Sequence, residues 1–218
     1  ELDAVRRRWD GELGVRLEVV DLDDLRKRSG GRGGARLAAE IRLAPAREID
    51  TIVSEDAPAL LLALDGVTDP HNLGAILRSA AAWGVSAVIA PRDRTAPLND
   101  AAVRASAGAV AHIPLLRVTN LARSLAGLSK LGVWTVGLAV DGDTELWDVD
   151  LTLPTVIVLG SEGGGLRPGV LRRCEVRARL SMPGPVSSLN VSVCAGTVVS
   201  EAARQRAQGG PGAPGRVG

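Results

Sequence analysis

Three short polar stretches, each following an apolar run, hold the residue types that could do chemistry in this chain. The first is Leu64-Asp65-Gly66-Val67-Thr68-Asp69-Pro70-His71-Asn72-Leu73-Gly74-Ala75-Ile76-Leu77-Arg78, in which a polar turn interrupts a strand-to-helix transition and Asn72 and Arg78 stand six positions apart. On a helix that spacing sets an amide and a guanidinium on neighbouring turns, and the small residues Ala75, Ala80 and Ala81 beside them let a bulky substrate approach. The second stretch, Gly160-Ser161-Glu162-Gly163-Gly164-Gly165, follows the apolar residues 156–159 and offers backbone N–H and C=O groups beside one carboxylate, Glu162. The third, Ser187-Ser188-Leu189-Asn190-Val191-Ser192, opens a helix. Ser188 or Asn190 can bond its first free N–H groups, and its positive end can grip an anion.

Each stretch also has a plain structural explanation. Asp65-Gly66 makes a turn, Asn72 a helix cap, Arg78 a solvated helix residue, and the glycine run a flexible loop. The glycine run lacks a following Gly-Lys-Ser/Thr and does not fit Gly-x-Gly-x-x-Gly after a first strand, which argues against a nucleotide triphosphatase and a Rossmann dehydrogenase. It suits a planar adenine and a ribose, and the charge of Glu162 tolerates a cationic sulfonium. His71, next to Asn72, is open between a structural and a chemical role; His112 reads as structural or solvated.

The elements that must position these stretches show a change of pattern near residue 59. From there on strands at 60–64, 87–90, 113–116, 133–138, 155–159 and 176–180 alternate with helices at 73–83, 100–107, 120–131, 168–172 and 190–206, which predicts an α/β fold with a parallel sheet. In such a sheet ligands bind beyond the carboxyl ends of the strands, here the loops after Leu64, Leu138, Leu159 and Leu180. Residues 1–44 read as the latter part of a small α/β domain, with a helix at 2–9, a strand at 15–20, a helix at 22–28 and a strand at 38–43. Residues 45–58 suit a linker, 59–207 the main domain, and 208–218 a disordered Gly/Pro-rich tail. A chain of 218 residues that starts at Glu1 reads as one full domain plus a piece of a longer protein.

Composition narrows the classes further. The formal charge is only +1, yet Arg6-Arg7-Arg8 and Arg26-Lys27-Arg28 cluster, and clusters rather than totals attract phosphates. The two cysteines, Cys174 and Cys194, have no metal-type spacing, so neither a metal site nor a disulfide framework is expected. A reduced cytoplasm is the simpler location, and no run is long and apolar enough to predict a membrane span. With Phe and Tyr absent, base stacking falls to one of 4 Trp or to an arginine plane, which disfavours an RRM-type RNA reader.

Taken in this order and at these separations, the three stretches resemble the three motifs of the SpoU class of RNA ribose 2'-O-methyltransferases, over roughly residues 59–206. The resemblance implies a SPOUT fold whose C-terminal segment forms a deep trefoil knot, against the general rule that chains do not knot. It implies S-adenosyl-L-methionine as cofactor, held near Leu138, Gly160, Met182 and Leu189, and Asn72, Arg78, Glu162, Ser188 and Asn190 as the residues of catalysis. Arg78 is the family's proposed proton acceptor; because guanidinium stays protonated, a purely electrostatic role stands beside that one. The implied partners are 23S rRNA, methylated on a guanosine ribose, and a second copy of the chain in a homodimer, with no metal and no membrane. A self-resistance or tRNA 2'-O-methyltransferase is the alternative within the class. A catalytically silent RNA-binding or ribosome-assembly module is the alternative outside it, and retention of Asn72, Arg78, Glu162 and Asn190 argues against silence. Residues 1–44 resemble the end of the RNA-binding domain that precedes SPOUT in such enzymes. Two departures stand out: a shortened loop at Pro183-Gly184-Pro185, and Leu138 where relatives often carry Thr. Neither removes a side chain the resemblance assigns to catalysis.

Overall fold

The computed structural model describes residues 18–28, 40–45, 47–54, 57–186 and 188–209. The chain divides into two compact units, residues 1–41 and 42–218. In the first, α1 (Leu22–Arg28) carries Asp23 and Asp24 in its first turn and Arg26, Lys27 and Arg28 in its last, the order that complements a helix dipole. Asp21 Oδ1 accepts the Asp24 N–H at 2.8 Å, and Arg28 donates to Glu18 at 3.0 Å. The helix expected at 2–9 and most of the strand expected at 15–20 lie outside the described residues, as do Arg6-Arg7-Arg8.

The second unit is built on a seven-stranded, wholly parallel sheet in the order β3-β2-β1-β6-β4-β7-β5. Its strands are β1 (Leu60–Asp65), β2 (Ala87–Pro91), β3 (Leu115–Val118), β4 (Trp134–Leu138), β5 (Thr144–Glu145), β6 (Thr155–Gly160) and β7 (Val176–Arg179). The helices are α2 (Ile49–Val53), α3 (Pro70–Ala82), α4 (Asp100–Ala105), α5 (Leu121–Lys130), α6 (Pro168–Leu171) and α7 (Val191–Gln208). Strands buried on both faces are unbroken apolar runs, and alternate residues go to opposite layers. Leu60, Leu62 and Leu64 pack with Ile157 and Leu159 under Leu73, Ile76 and Leu77 of α3 and Ala195, Val198 and Val199 of α7. Leu61 and Ala63 pack with Val156 and Val158 under Leu121, Leu125 and Leu128 of α5. Because β6 enters between β1 and β4, the strand order reverses there, and the loops leaving β1 and β6 face one another at the carboxyl edge.

Several expectations shift. The strand placed at 113–116 runs instead over Leu115–Val118, Ile113 being a buried residue of the approach. Residues 40–43 of the strand placed at 38–43 belong to no strand. Within 45–58 the chain forms α2, whose Ile52 is 1% exposed in the core, and β5 was not foreseen because two residues carry no period. The last helix runs on to Gln208 and ends at Gly209, whose φ of 79° is the left-handed conformation of a helix stop; the rest of the tail lies outside the described residues. Arg206 ties that helix end to the entrances of β6 and β1. Its Nε donates to Leu151 O at 2.8 Å, Nη2 to Leu153 O at 2.8 Å, and Nη1 to Pro58 O.

Gly74 lets α3 lie against α4. A Cβ there would overlap the Ala102 carbonyl and come within 2.6 Å of Ala105 Cβ, a backbone atom and a β-carbon fixed to the backbone rather than the end of a flexible side chain. Gly74→Ala is therefore expected to destabilise the fold by about 1–3 kcal/mol, the usual cost of overpacking. A thermal melt with an unshifted midpoint would refute this account of the α3–α4 contact.

Candidate active site

Asp65 and Gly160 are register partners at the carboxyl ends of β1 and β6, and the site grows from the loops that leave them. Beyond Asp65 the chain turns through Gly66 at φ +89°, where a side chain would be strained and would meet Ser161. Asp69 caps α3, accepting the His71 N–H at 3.0 Å, and Pro70 occupies the first helical position. Asn72 is thus not the cap the sequence suggested. It sits inside the first turn, with its amide free for tertiary bonds. Beyond β6 the glycine loop folds back on itself through paired Ser161 and Gly165 backbone bonds of 3.1 and 3.0 Å, so tightly that a Cβ on Gly160 would overlap Gly165. The loop is pinned to β1 by Arg167: its N–H and Nε donate to the two oxygens of Asp65 at 2.9 and 2.6 Å. Asp65 is 1% exposed, and a carboxylate so buried needs a charged, hydrogen-bonded partner.

These arrangements bring the three stretches to one carboxylate. Glu162 Oε1 accepts from Asn72 Nδ2 at 3.1 Å, from Asn190 Nδ2 at 2.9 Å and from the Val191 N–H at 3.4 Å. Asn190 Nδ2 also donates to Asn72 Oδ1 at 3.0 Å. Of the two capping candidates for α7, Asn190 takes the role: its Oδ1 accepts from the Ser192 N–H at 2.8 Å and from Ser192 Oγ at 2.6 Å. Residues 90 and 28 positions apart from Glu162 in sequence thus converge on it.

Beside this node opens a cavity of about 630 Å³, a size that takes a small organic ligand. Leu138, Gly160, Met182 and Leu189 line it, as do Glu162, Ser188 and Asn190. Leu159, Leu180, Val191 and Cys194 also line it; their apolar character marks core in a sequence, and only the end of a strand or helix hints at a cavity. Leu189 and Val140 at the wall remain 40% and 81% exposed, apolar surface that a flat ring system would cover. No described lining residue is basic, and Glu162 brings negative charge, so the cavity favours a ligand with a cationic centre. Burial pushes the Cys174 thiol up to about 11 and also raises Cys194, so neither is a thiolate nucleophile at neutral pH. Among the described residues no cluster of three or more His, Cys, Asp or Glu is arranged to hold a metal ion, and no helix is long and apolar enough to cross a membrane.

Arg78 stands apart from this node. It is exposed on α3, lines no part of the cavity, and has no hydrogen-bond or ion-pair partner among the described residues. Six residues beyond Asn72 place it about 9 Å further along the helix and about a third of a turn round. His112 is exposed and ends a 3-10 turn; His71 is exposed beside Asn72.

A parallel α/β sheet with an amide-carboxylate node and a largely apolar cavity where its strand order reverses defines a ligand-binding α/β enzyme of the methyltransferase class rather than a dinucleotide dehydrogenase. The chain belongs to the SpoU rRNA methylase family, whose model matches residues 59–200. It is 42% identical, over 88% of its length, to the 23S rRNA (guanosine-2'-O-)-methyltransferase RlmB of Vibrio parahaemolyticus, covering 79% of that protein. To RlmB of Pseudomonas aeruginosa it is 54% identical over 70% of its length, spanning 61% of the relative. The SpoU methyltransferase AviRb from Streptomyces viridochromogenes, solved in complex with the cofactor AdoMet, superposes with a TM-score of 0.67 at 30% identity, over 74% of this chain and 66% of that one.

Proposed function

We propose that this chain transfers the methyl group of S-adenosylmethionine to the ribose 2'-hydroxyl of a guanosine in 23S rRNA. The observation that carries this is the convergence of Asn72, Glu162 and Asn190 from three distant stretches at the mouth of a cavity fit for the donor. Leu138, Met182 and Leu189 offer apolar surface to the adenine, the backbone at Gly160 offers polar groups, and Glu162 offers a countercharge. When bound, the donor supplies a methyl activated by a positive sulfur. Asn72 and Asn190 hold the Glu162 carboxylate in place, and Ser188 sits at the cavity wall with a hydroxyl for the incoming ribose. Arg78, a guanidinium with no partner among the described residues, binds a phosphate flanking the target and stabilises negative charge on the attacking oxygen as its proton passes to solvent water and the donor departs as neutral S-adenosylhomocysteine. Holding oxygen and methyl in line supplies much of the acceleration.

The finer architecture follows the same reading. Leaving β7 on the far side of β4, the chain returns to α7, which packs on α3; this path supports a C-terminal trefoil knot. Val193, 53% exposed on α7 between buried turns, supports a homodimer through that face. The first unit, with its Arg26-Lys27-Arg28 end, serves as part of an RNA-binding domain, and the protein works in the cytoplasm on ribosomal RNA.

Transfer of tritium from labelled donor to 23S rRNA, with the labelled nucleotide mapped, is the deciding experiment. One labelled guanosine ribose is expected. Label confined to a base, or appearing on tRNA in preference to 23S rRNA, would overturn the assignment. Calorimetry should show donor binding unchanged by EDTA; affinity that collapses on chelation would refute metal-free binding.

A further inference from the structure

A second cavity, of about 430 Å³, opens at the carboxyl ends of β2 and β3, on the other face of the sheet from the first. One continuous segment contributes to both: Gly160, Ser161, Glu162, Gly163 and Gly165 line the first, and Arg167, Gly169 and Val170 the second. Arg94, Asp93, Asn120 and the N-terminus of α5 line the second as well. Asn120 Oδ1 caps α5 through the Arg123 N–H at 3.0 Å, and Leu121 and Ala122, which also line the cavity, have backbone N–H groups with no acceptor among the described residues. Arg94 is exposed and has no described partner, while Arg167 Nη1 is left over from the pair with Asp65. With Asp65 and Asp93 set against Arg167 and Arg94, the flanking Arg92, Arg123 and Arg172 leave the surround positive; Arg172 Nη2 lies 3.9 Å from where a Gly169 Cβ would be.

From this we infer that the second cavity is a subsite for a backbone phosphate of the RNA strand, a few nucleotides from the methylated ribose. The inference rests on the methyltransferase reading above, which supplies the RNA. A strand whose ribose reaches the Glu162 node must lie along the carboxyl edge of the sheet, and the wall it crosses next is the one that presents unpaired guanidinium and N–H donors. Free N–H groups at a helix start and arginine forks are the two donor types that hold phosphate without reading sequence. The site therefore positions the strand and contributes affinity that salt screens, and it does not choose the nucleotide.

Arg94→Gln and Arg172→Gln, alone and together, test this on the full chain with a 23S rRNA fragment as probe. For each arginine removed, the slope of log affinity against log salt should fall by about one. KM for RNA should rise about tenfold in the double variant while kcat at saturating RNA holds, as a positioning contact made equally in ground and transition states requires. Arg94→Lys should restore most of the salt slope. Unchanged slope and KM in the double variant would overturn the subsite, and so would an equal loss of S-adenosylmethionine affinity, which would make the arginines structural. Binding is read without turnover, so a wild-type chain that binds RNA but transfers no methyl would sink the functional reading while the slopes still decide the subsite.

Discussion

Arg78→Ala is expected to lower single-turnover methyl transfer by on the order of 10² or more while S-adenosylmethionine binds almost as before. The two halves of that expectation come from separate observations. Cofactor affinity should hold because Arg78 lines no part of the donor cavity and sits about 9 Å along α3 from the Asn72 node. Turnover should fall because Arg78 is an exposed cation with no described protein partner, on the helix that delivers Asn72, and a guanidinium so placed is available to the RNA. Arg78→Lys should recover little, since a point charge cannot bridge a phosphate oxygen and the attacking oxygen as a planar fork can. Single-turnover kinetics on a 23S rRNA fragment, with oligomeric state checked by sedimentation, decide the matter. Turnover near wild type in Arg78→Ala would refute the role, and a loss of self-association in that variant would make Arg78 a structural residue.

Glu162→Gln should be as damaging, and in a different way. The carboxylate takes three donors on one oxygen, two amides and a helix N–H, and a glutamine must either turn its own NH2 toward those donors or present a weaker acceptor. Asn72 and Asn190 then lose their common anchor, and transfer should fall on the order of 10². The charge also bears on the donor. Glu162→Gln should weaken binding of cationic S-adenosylmethionine more than that of the uncharged product S-adenosylhomocysteine, because only the former gains from the carboxylate. Calorimetry with both ligands reads this difference directly. Equal changes for the two would show that Glu162 holds the loop and contributes no field at the methyl centre.

Much of this organisation was legible in the amino-acid order. Strands such as Leu60–Asp65 and Thr155–Gly160 read clearly because a strand covered on both faces must be apolar throughout, and the helices between them carry their own start signals. The cavity residues Leu138, Gly160, Met182 and Leu189 were reachable because ligands of parallel sheets collect at carboxyl ends, combined with the resemblance of the three stretches to a known family. Local chemistry also set the cap of α7 to Ser188 or Asn190, and α7 then took Asn190.

What the order of residues did not determine was who meets whom. Asn72 read as a helix cap, but Asp69 and Pro70 just ahead of it carry the stronger start signal and set the helix start earlier; what no local signal gave is that the freed Asn72 amide meets Glu162, 90 positions away. The Asp65–Arg167 clamp spans 102 positions, and its partners are chosen only by the insertion of β6 next to β1. Arg94, Asn120 and Arg167 stand far apart in the sequence, and only the fold brings two loops and a helix start together around one cavity. Sequence determined the elements, their alternation and the chemical types available at their ends, since propensity and burial act over a few residues at a time. Tertiary structure alone decided the Glu162 node, the clamp and both cavities, because each depends on strand order, and strand order is set by packing between segments far apart in the chain.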